Sequence, residues 1–156
     1  MPVAIGMRLT RRQLRLGALR TLAGRILRTV GEADALLSLE IVGDHRMRRL
    51  NRTFRQRDKT TDVLAFAMRE GPGPPSPLLG DVVISLPQAI RQARRHQRGI
   101  DHELAVLLIH GVLHLCGYDH ERNAAEARRM VRRERALLRS IAPVPRLLVK
   151  GDGDQV

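Results

Sequence analysis

The stretch HGVLHLCGYDH at positions 110–120 decides the fold, because it predicts a buried helix that ends in a metal site. His110 and His114 are four residues apart, and on a helix this spacing places both side chains on one face, with Cβ atoms about 5–6 Å apart. One metal ion can bridge two imidazoles at that separation. Gly117 can adopt the left-handed conformation that ends a helix, and the turn after it returns His120 toward the same ion.

A three-histidine set predicts a catalytic metal site. Neutral imidazoles suit zinc, and less exclusively nickel, iron or another divalent ion. We predict one Zn²⁺ per chain, bound by His110, His114 and His120, with a coordination position left open for water. Cys116 lies two residues after His114, where a helical side chain points away from the histidine face. We predict that Cys116 is a small buried hydrophobic residue, and a fourth metal ligand is the alternative.

The spacing is related to that of the zinc proteases with the pattern His-Glu-x-x-His-x-x-Gly-x-x-His, in which the glutamate is the general base. Gly111 occupies the glutamate position here, so peptide hydrolysis by that mechanism has no base. The string instead resembles, almost letter for letter, the His-Gly-x-Leu-His-Leu-x-Gly-Tyr-Asp-His signature of the YbeY family. Members of that family are bacterial metal-dependent endoribonucleases that act in ribosomal RNA maturation.

A second stretch resembles the same family independently. The segment LNRTFRQRDKTTDVLAF at 50–66 is similar to a family segment with a helix-end arginine, an aspartate and a Thr-Asp-Val-Leu-Ser-Phe strand, and LGDVVIS at 79–85 resembles the next strand. Thr60 and Ala67 replace prolines that the family usually has, and Ala65 replaces a serine. These departures affect local turn geometry and remove no charged or metal-binding group.

The resemblance covers roughly residues 35 to 140 and implies both function and partners. It implies a single-strand-specific endoribonuclease that acts in maturation of the 16S ribosomal RNA 3′ end and in ribosome quality control. Its partners would be single-stranded RNA, ribosomal RNA or the small ribosomal subunit, and no DNA partner is expected.

Two residues outside the histidine set are candidate catalytic residues. The resembling segment places an arginine at Arg55, and a fixed positive charge there would clamp the scissile phosphate. The alternative is an exposed arginine at a helix end. Asp119 adjoins His120 and would either orient a ligand histidine or accept a proton from water at the metal, and the alternative is an aspartate that forms a turn.

Two other classes of function remain open. A zinc metalloprotease or other metal hydrolase would use the same three histidines, although Gly111 counts against the protease. A non-enzymatic ribosome-binding or RNA-binding factor would carry a structural metal, although structural zinc normally has four protein ligands.

Length and composition predict one cytoplasmic domain. The 156 residues are enough for a single core, which we place at 1–149, with a disordered tail at 150–156. No apolar run approaches the roughly 20 residues that span a bilayer, and the N-terminus has no pattern of a secretory signal. The single cysteine cannot form an internal disulfide, which agrees with a reducing compartment. We therefore expect no membrane partner.

The charge favours a polyanionic partner. Lys plus Arg number 28 against 16 Asp plus Glu, giving a net charge of +12, and nearly all the cations are arginine. Arginine's planar fork suits phosphate oxygens, so RNA or a ribosomal surface is a better match than a membrane. The alternative is that a GC-rich genome produces this composition. Aromatic residues are only 2%, so contacts with the RNA backbone should outweigh base stacking.

The hydrophobic pattern predicts an α+β fold in which about five helices cover a small mixed sheet of three to four strands, with the histidine helix at the centre. We predict strands at 3–7, 37–41, 63–68 and 82–86, helices that begin at Thr10 and Pro87, and two helices that Asp44 and Asp101 cap. A last helix is predicted over 121–140, and an exposed loop at 71–77. The remaining histidines, His45, His96 and His102, are predicted to have surface roles.

Overall fold

Four strands and five helices make up the part of the chain that the computed structural model describes, residues 3–7, 14–69 and 76–149. This arrangement confirms the predicted α+β fold. In chain order the elements are β1 (Val3–Met7), α1 (Leu16–Thr29), β2 (Leu36–Val42), α2 (Asp44–Arg55), β3 (Val63–Ala67), β4 (Leu78–Ser85), α3 (Leu86–Arg95), α4 (Ile100–Leu115) and α5 (Ala124–Ile141).

The sheet is mixed, with the strand order β1-β2-β4-β3. β1, β2 and β4 run parallel, and β3 pairs antiparallel to β4 at the edge. Alternate residues of a strand point to opposite faces, so Leu37, Leu39 and Ile41 enter the main core, which α4 shares. Val42 points to the other face, where it packs with Met47 of α2. The two faces of the sheet are therefore covered by different helices.

α4 is the central helix, as predicted, and most of its residues are buried. Gly111 faces the sheet: a Cβ atom added there would lie 2.7 Å from Cγ1 of Val82 and 3.5 Å from Cγ2 of Val63. A side chain at this position would hold the helix away from β3 and β4. Gly111 thus allows the histidine helix to pack directly on these two strands.

Three predicted element starts are wrong. α1 begins at Leu16 rather than Thr10, because Leu14 forms a β-bridge with Leu148 and Arg15 has a non-helical backbone. β4 begins at Leu78 rather than at residue 82. α5 begins at Ala124, since the Asn123 side chain accepts a hydrogen bond from the Glu126 amide and caps the helix there.

Two aspartates that we predicted as helix caps have other roles. Gly43 and Gly99 are the N-cap residues of α2 and α4. The Asp44 carboxylate instead accepts two hydrogen bonds from Arg91, each of 2.9 Å, and this contact lowers the pKa of Asp44. The Asp101 carboxylate accepts hydrogen bonds from backbone amides in the C-terminal segment, at 2.8 Å from Leu147 and 3.3 Å from the next residue.

The predicted tail at 150–156 and most of the predicted loop at 71–77 lie outside the described residues. Among the helices that the structure does describe, none combines the length and apolar character needed to cross a membrane.

Candidate metal centre

Three imidazoles converge at the C-terminal end of α4. Nε2 of His114 lies 3.1 Å from Nε2 of His110 and 3.2 Å from Nδ1 of His120. Within the described ranges, these are the residues whose ligand atoms form a possible metal cluster, all within 4.8 Å of one another. His110 and His114 are half-buried and His120 is exposed, so the cluster is fixed on its helix side and open to solvent on the other.

The turn that delivers His120 depends on Gly117, as predicted. Gly117 has a φ of 97°, a left-handed conformation that glycine adopts without a Cβ penalty. The Gly117 amide donates to the His114 carbonyl at 3.0 Å, and the Tyr118 amide donates to the Leu113 carbonyl at 3.1 Å. These two bonds form a Schellman motif, which ends α4 and reverses the chain.

Glu134 of α5 holds the first histidine in place. Its Oε1 lies 2.8 Å from Nδ1 of His110, which donates the hydrogen bond to the carboxylate. With the proton on Nδ1, the lone pair of His110 is on Nε2, the nitrogen that faces His114. The hydrogen bond therefore selects the tautomer and the ring orientation in which Nε2 could bind a metal ion.

The surroundings of His114 favour its neutral form. Burial lowers the pKa of His114, and the neighbouring His110 and His120 lower it further. A neutral imidazole has a lone pair to offer at neutral pH. Three imidazole nitrogens within 4.8 Å of one another form a ligand set that could hold a cation.

Two of the three nitrogen–nitrogen distances are compatible with a tetrahedral zinc ion. Zinc with Zn–N bonds of about 2.0–2.1 Å holds two ligand nitrogens about 3.3 Å apart, close to the 3.1 and 3.2 Å found here. Cys116 is not a member of the cluster. It packs against the main core, where burial raises the pKa of its thiol, as expected for a small buried hydrophobic residue.

Arg55 is anchored on the edge strand β3. Its Nη2 donates a 2.7 Å hydrogen bond to the Ala65 carbonyl, and its guanidinium lies 5.0 Å from the centre of the Phe66 ring. Ala65 is two residues along β3 from Val63, which packs against Gly111 beside His110. The predicted arginine is thus exposed but held in one orientation, on a strand that contacts the histidine helix.

Asp119 stabilises the turn before His120. Its Oδ1 accepts a 3.0 Å hydrogen bond from the Glu121 amide. Its charge opposes the lowering of the His114 pKa, which burial and the other two histidines cause. His45, His96 and His102 are not in the cluster, and the first two are exposed.

Sequence reasoning missed Glu134, although the sequence carries a signal for it. Met130, Leu137 and Ile141 form the buried stripe of α5, at helical spacing. Glu134 lies in the same stripe, four residues after Met130 and three before Leu137. An acidic residue among core-facing positions of an arginine-rich helix indicates a buried partner, and that partner is His110.

Comparisons with known proteins agree with these observations. A family model described as Endoribonuclease YbeY matches residues 7–142. A protein named Endoribonuclease YbeY from Anaeromyxobacter sp. (strain Fw109-5) is 52% identical over 133 residues, which cover 85% of this chain and 68% of that protein. The protein of the same name from Geobacter metallireducens is 45% identical over 140 residues, which cover 88% of this chain and 93% of that protein.

A solved structure shows the same fold. The solution structure of TM1509 from Thermotoga maritima has a TM-score of 0.62 at 23% identity, covering 89% of this chain and 88% of that one. A likeness at this identity concerns the fold alone. The family-model match and the two relatives show more than the fold. Because of their coverage and identity, the chain belongs to the YbeY family of endoribonucleases.

Proposed function

We propose that this chain is a metal-dependent endoribonuclease that cleaves single-stranded RNA, with one divalent cation, zinc by preference, held by His110, His114 and His120. The observation that carries the proposal is the convergence of three imidazole nitrogens, open to solvent on one side, in a member of an endoribonuclease family. A cation bound there supplies Lewis-acid chemistry, which lowers the pKa of water and neutralises charge on a phosphate oxygen.

Arg55 is the candidate for stabilising charge on the scissile phosphate. Its bond to Ala65 uses one N–H donor, and its guanidinium lies 5.0 Å from the centre of the Phe66 ring. The remaining N–H donors can bind phosphate oxygens in a two-pronged geometry. A charge fixed in advance stabilises the transition state without reorganisation.

Asp119 is the candidate proton acceptor for the attacking water. Its Oδ1 is engaged by the Glu121 amide, so we assign the proton to Oδ2. Its position next to His120 in the chain supports this role.

The biological substrate that we propose is ribosomal RNA, with the 3′ end of 16S ribosomal RNA on the small subunit as the cleavage region and the cytoplasm as the location. Support comes from the family membership and from the net charge of +12, which suits an RNA-rich surface.

The protease alternative meets a structural obstacle at Gly111. Any side chain at this position would clash with Val82, so a glutamate could not act as general base there without displacing the helix. A structural metal is disfavoured by the three-ligand set, since Cys116 does not complete it.

One comparison of substrates tests the proposal. Zinc-loaded protein is incubated with labelled single-stranded RNA, duplex RNA and casein, and the zinc content is measured by elemental analysis. His114→Ala should lose both zinc and RNA cleavage, while His102→Ala, a histidine of the same helix outside the cluster, should keep both. Cleavage of casein without cleavage of RNA, or full zinc in His114→Ala, would overturn the proposal.

A further inference from the structure

α5 carries a shallow groove on its exposed side, which we call the arginine groove. It has a volume of about 360 Å³ and is lined by Ala127, Arg128, Val131, Arg132 and Arg135. Ala127 and Val131 form an apolar floor, and Val131 is 43% exposed. The three arginines provide the walls.

The groove arginines differ from Arg129 and Arg133 of α5 in having no partner among the described residues. Arg129 pairs with Glu126 at 3.2 Å, and Arg133 donates to the Thr29 carbonyl of α1. Arg128, Arg132 and Arg135 make no hydrogen bond or ion pair with any residue that the structure describes. Their charges are therefore uncompensated within the described structure.

The groove begins beside the residue that positions His110. Successive residues of an α-helix are about 100° apart, so Val131 lies about 60° and Arg135 about 100° around the axis from Glu134. The other side of Glu134 carries the buried Met130 and Leu137. Since Glu134 contacts His110, the groove begins on the part of the α5 surface next to this contact.

We propose that the arginine groove binds the sugar–phosphate backbone of single-stranded RNA on one side of the scissile bond. This inference rests on the proposed function and adds the path of the substrate. Arg128 and Arg135 are seven residues apart, about 10 Å along the axis, so neighbouring phosphates of one strand can share the three arginines.

The chemistry of the groove favours RNA backbone over other ligands. Arginine forks match phosphate oxygens, and the Ala127 and Val131 floor can contact the apolar face of a ribose. No aromatic side chain lines the groove, so bases are not stacked there and binding should tolerate any sequence.

The test compares two triple variants with the same change of charge. The groove variant is Arg128→Gln, Arg132→Gln and Arg135→Gln. The control is Arg49→Gln, Arg94→Gln and Arg95→Gln, which are also exposed helical arginines. Two of the control positions end α3, beside the first turn of α4, about 15 Å along that helix from His110. Glutamine keeps a similar helix propensity, so both proteins should fold.

The affinity for a labelled single-stranded RNA of about twelve nucleotides is measured across salt concentrations. The RNA affinity of the groove variant should be lower than that of the control by about 10-fold or more. Its slope of log affinity against log salt should also be shallower by about 2, because each of the three lost phosphate contacts contributes about 0.7. The single-turnover cleavage rate at subsaturating enzyme should fall together with the affinity, because less of the RNA is bound. A second variant with lysine at all three groove positions should recover part of the affinity.

Equal RNA affinity in the groove and control variants would overturn the inference while leaving the proposed function in place, provided that the wild-type protein cleaves the RNA. A wild-type protein that neither binds nor cleaves RNA would overturn both. A loss of binding to polyglutamate or to anionic vesicles, with RNA binding unchanged, would assign the groove to another polyanion and would also overturn the inference.

Discussion

Glu134 shows how one side chain orients a proposed metal ligand that lies on another helix. It lies 24 positions after His110 along the chain, yet its carboxylate accepts the Nδ1 proton and leaves Nε2 free to face the other two histidines. A carboxylate in this position also makes the imidazole a stronger donor. The three-histidine set therefore depends on the packing of α5 against α4.

Replacing Glu134 should weaken zinc binding without removing a ligand. Glu134→Gln keeps the size of the side chain but loses its charge, so zinc affinity should fall about 10- to 100-fold, as for other partners of ligand histidines. Competition with a chromophoric chelator measures the dissociation constant. Glu126→Gln is the control, because Glu126 is also an acid of α5 but pairs with Arg129. Wild-type zinc affinity in Glu134→Gln would contradict the positioning role.

Variants of Arg55 can distinguish an effect on catalysis from an effect on RNA binding. If its guanidinium stabilises charge on the phosphate, Arg55→Ala should reduce turnover of saturating RNA about 100-fold or more. RNA affinity should change much less, because many other arginines contribute to it. Arg55→Lys should recover only part of the rate, since an ammonium keeps the charge but loses the two-pronged geometry.

Single-turnover cleavage, zinc content and thermal stability are measured for each Arg55 variant. Arg52→Ala is the control, because Arg52 is an exposed arginine in the same last turn of α2. Wild-type cleavage by a folded, zinc-loaded Arg55→Ala protein would leave Arg55 as a surface residue.

Among single residues, the sequence predicts the contacts that depend only on the spacing of nearby residues. The grouping of His110 and His114 follows from one helical turn, and the return of His120 follows from Gly117, so the cluster could be predicted from eleven consecutive residues. The contact of Glu134 with His110 depends on how two helices pack, which spacing along one helix does not encode.

At the scale of elements, α4 owes its position to the absence of a side chain at Gly111. A Cβ atom there would lie 2.7 Å from Val82, below normal contact distance, so the helix or the strand would have to move. His110 directly precedes Gly111 in the chain. A shift of the helix would therefore move the His110 imidazole away from the imidazoles of His114 and His120.

Gly111→Ala should therefore reduce both stability and zinc affinity. Overpacking costs about 1–3 kcal/mol, which outweighs the gain of up to about 1 kcal/mol in helix propensity. Gly24→Ala in α1 is the control: its Cβ would meet only a side-chain atom at 3.8 Å, so this change should stabilise the protein. Denaturant unfolding measures both. In a Val82→Ala background, Gly111→Ala should no longer destabilise, and a cost that persists there would refute the packing argument.

Element types could be predicted from hydrophobic periodicity, but several boundaries could not. The helix predicted to begin at Thr10 would include Leu14, yet Leu14 pairs with Leu148 from the far end of the chain. Asp101 had the position of a helix cap, yet its carboxylate binds the same C-terminal segment. Both errors arise from contacts between residues far apart in sequence, which override local preference.

At the scale of the whole molecule, the arginines behind the net charge of +12 fall into two groups. Some arginines are used internally: Arg91 pairs with Asp44, Arg69 with Glu32, and Arg98 with the buried Glu103. Others, including those of the arginine groove, have no partner among the described residues. Composition alone predicted a polyanionic partner, but only the fold shows where the uncompensated charge lies.

The uncompensated arginines predict that RNA binding depends strongly on salt and weakly on sequence. Each phosphate contact with a single strand contributes a slope of about −0.7 in log affinity against log salt, so five contacts give about −3.5. Anisotropy titrations with the His114→Ala variant, which should leave the strand uncut, measure this slope between low and high salt. Strands of equal length and different sequence should bind with similar affinities, because phosphates are common to all of them and the low aromatic content of 2% gives little base stacking. An affinity that stays flat as salt rises would mean that the contacts are with bases or sugars, and the arginine excess would then have no part in substrate binding.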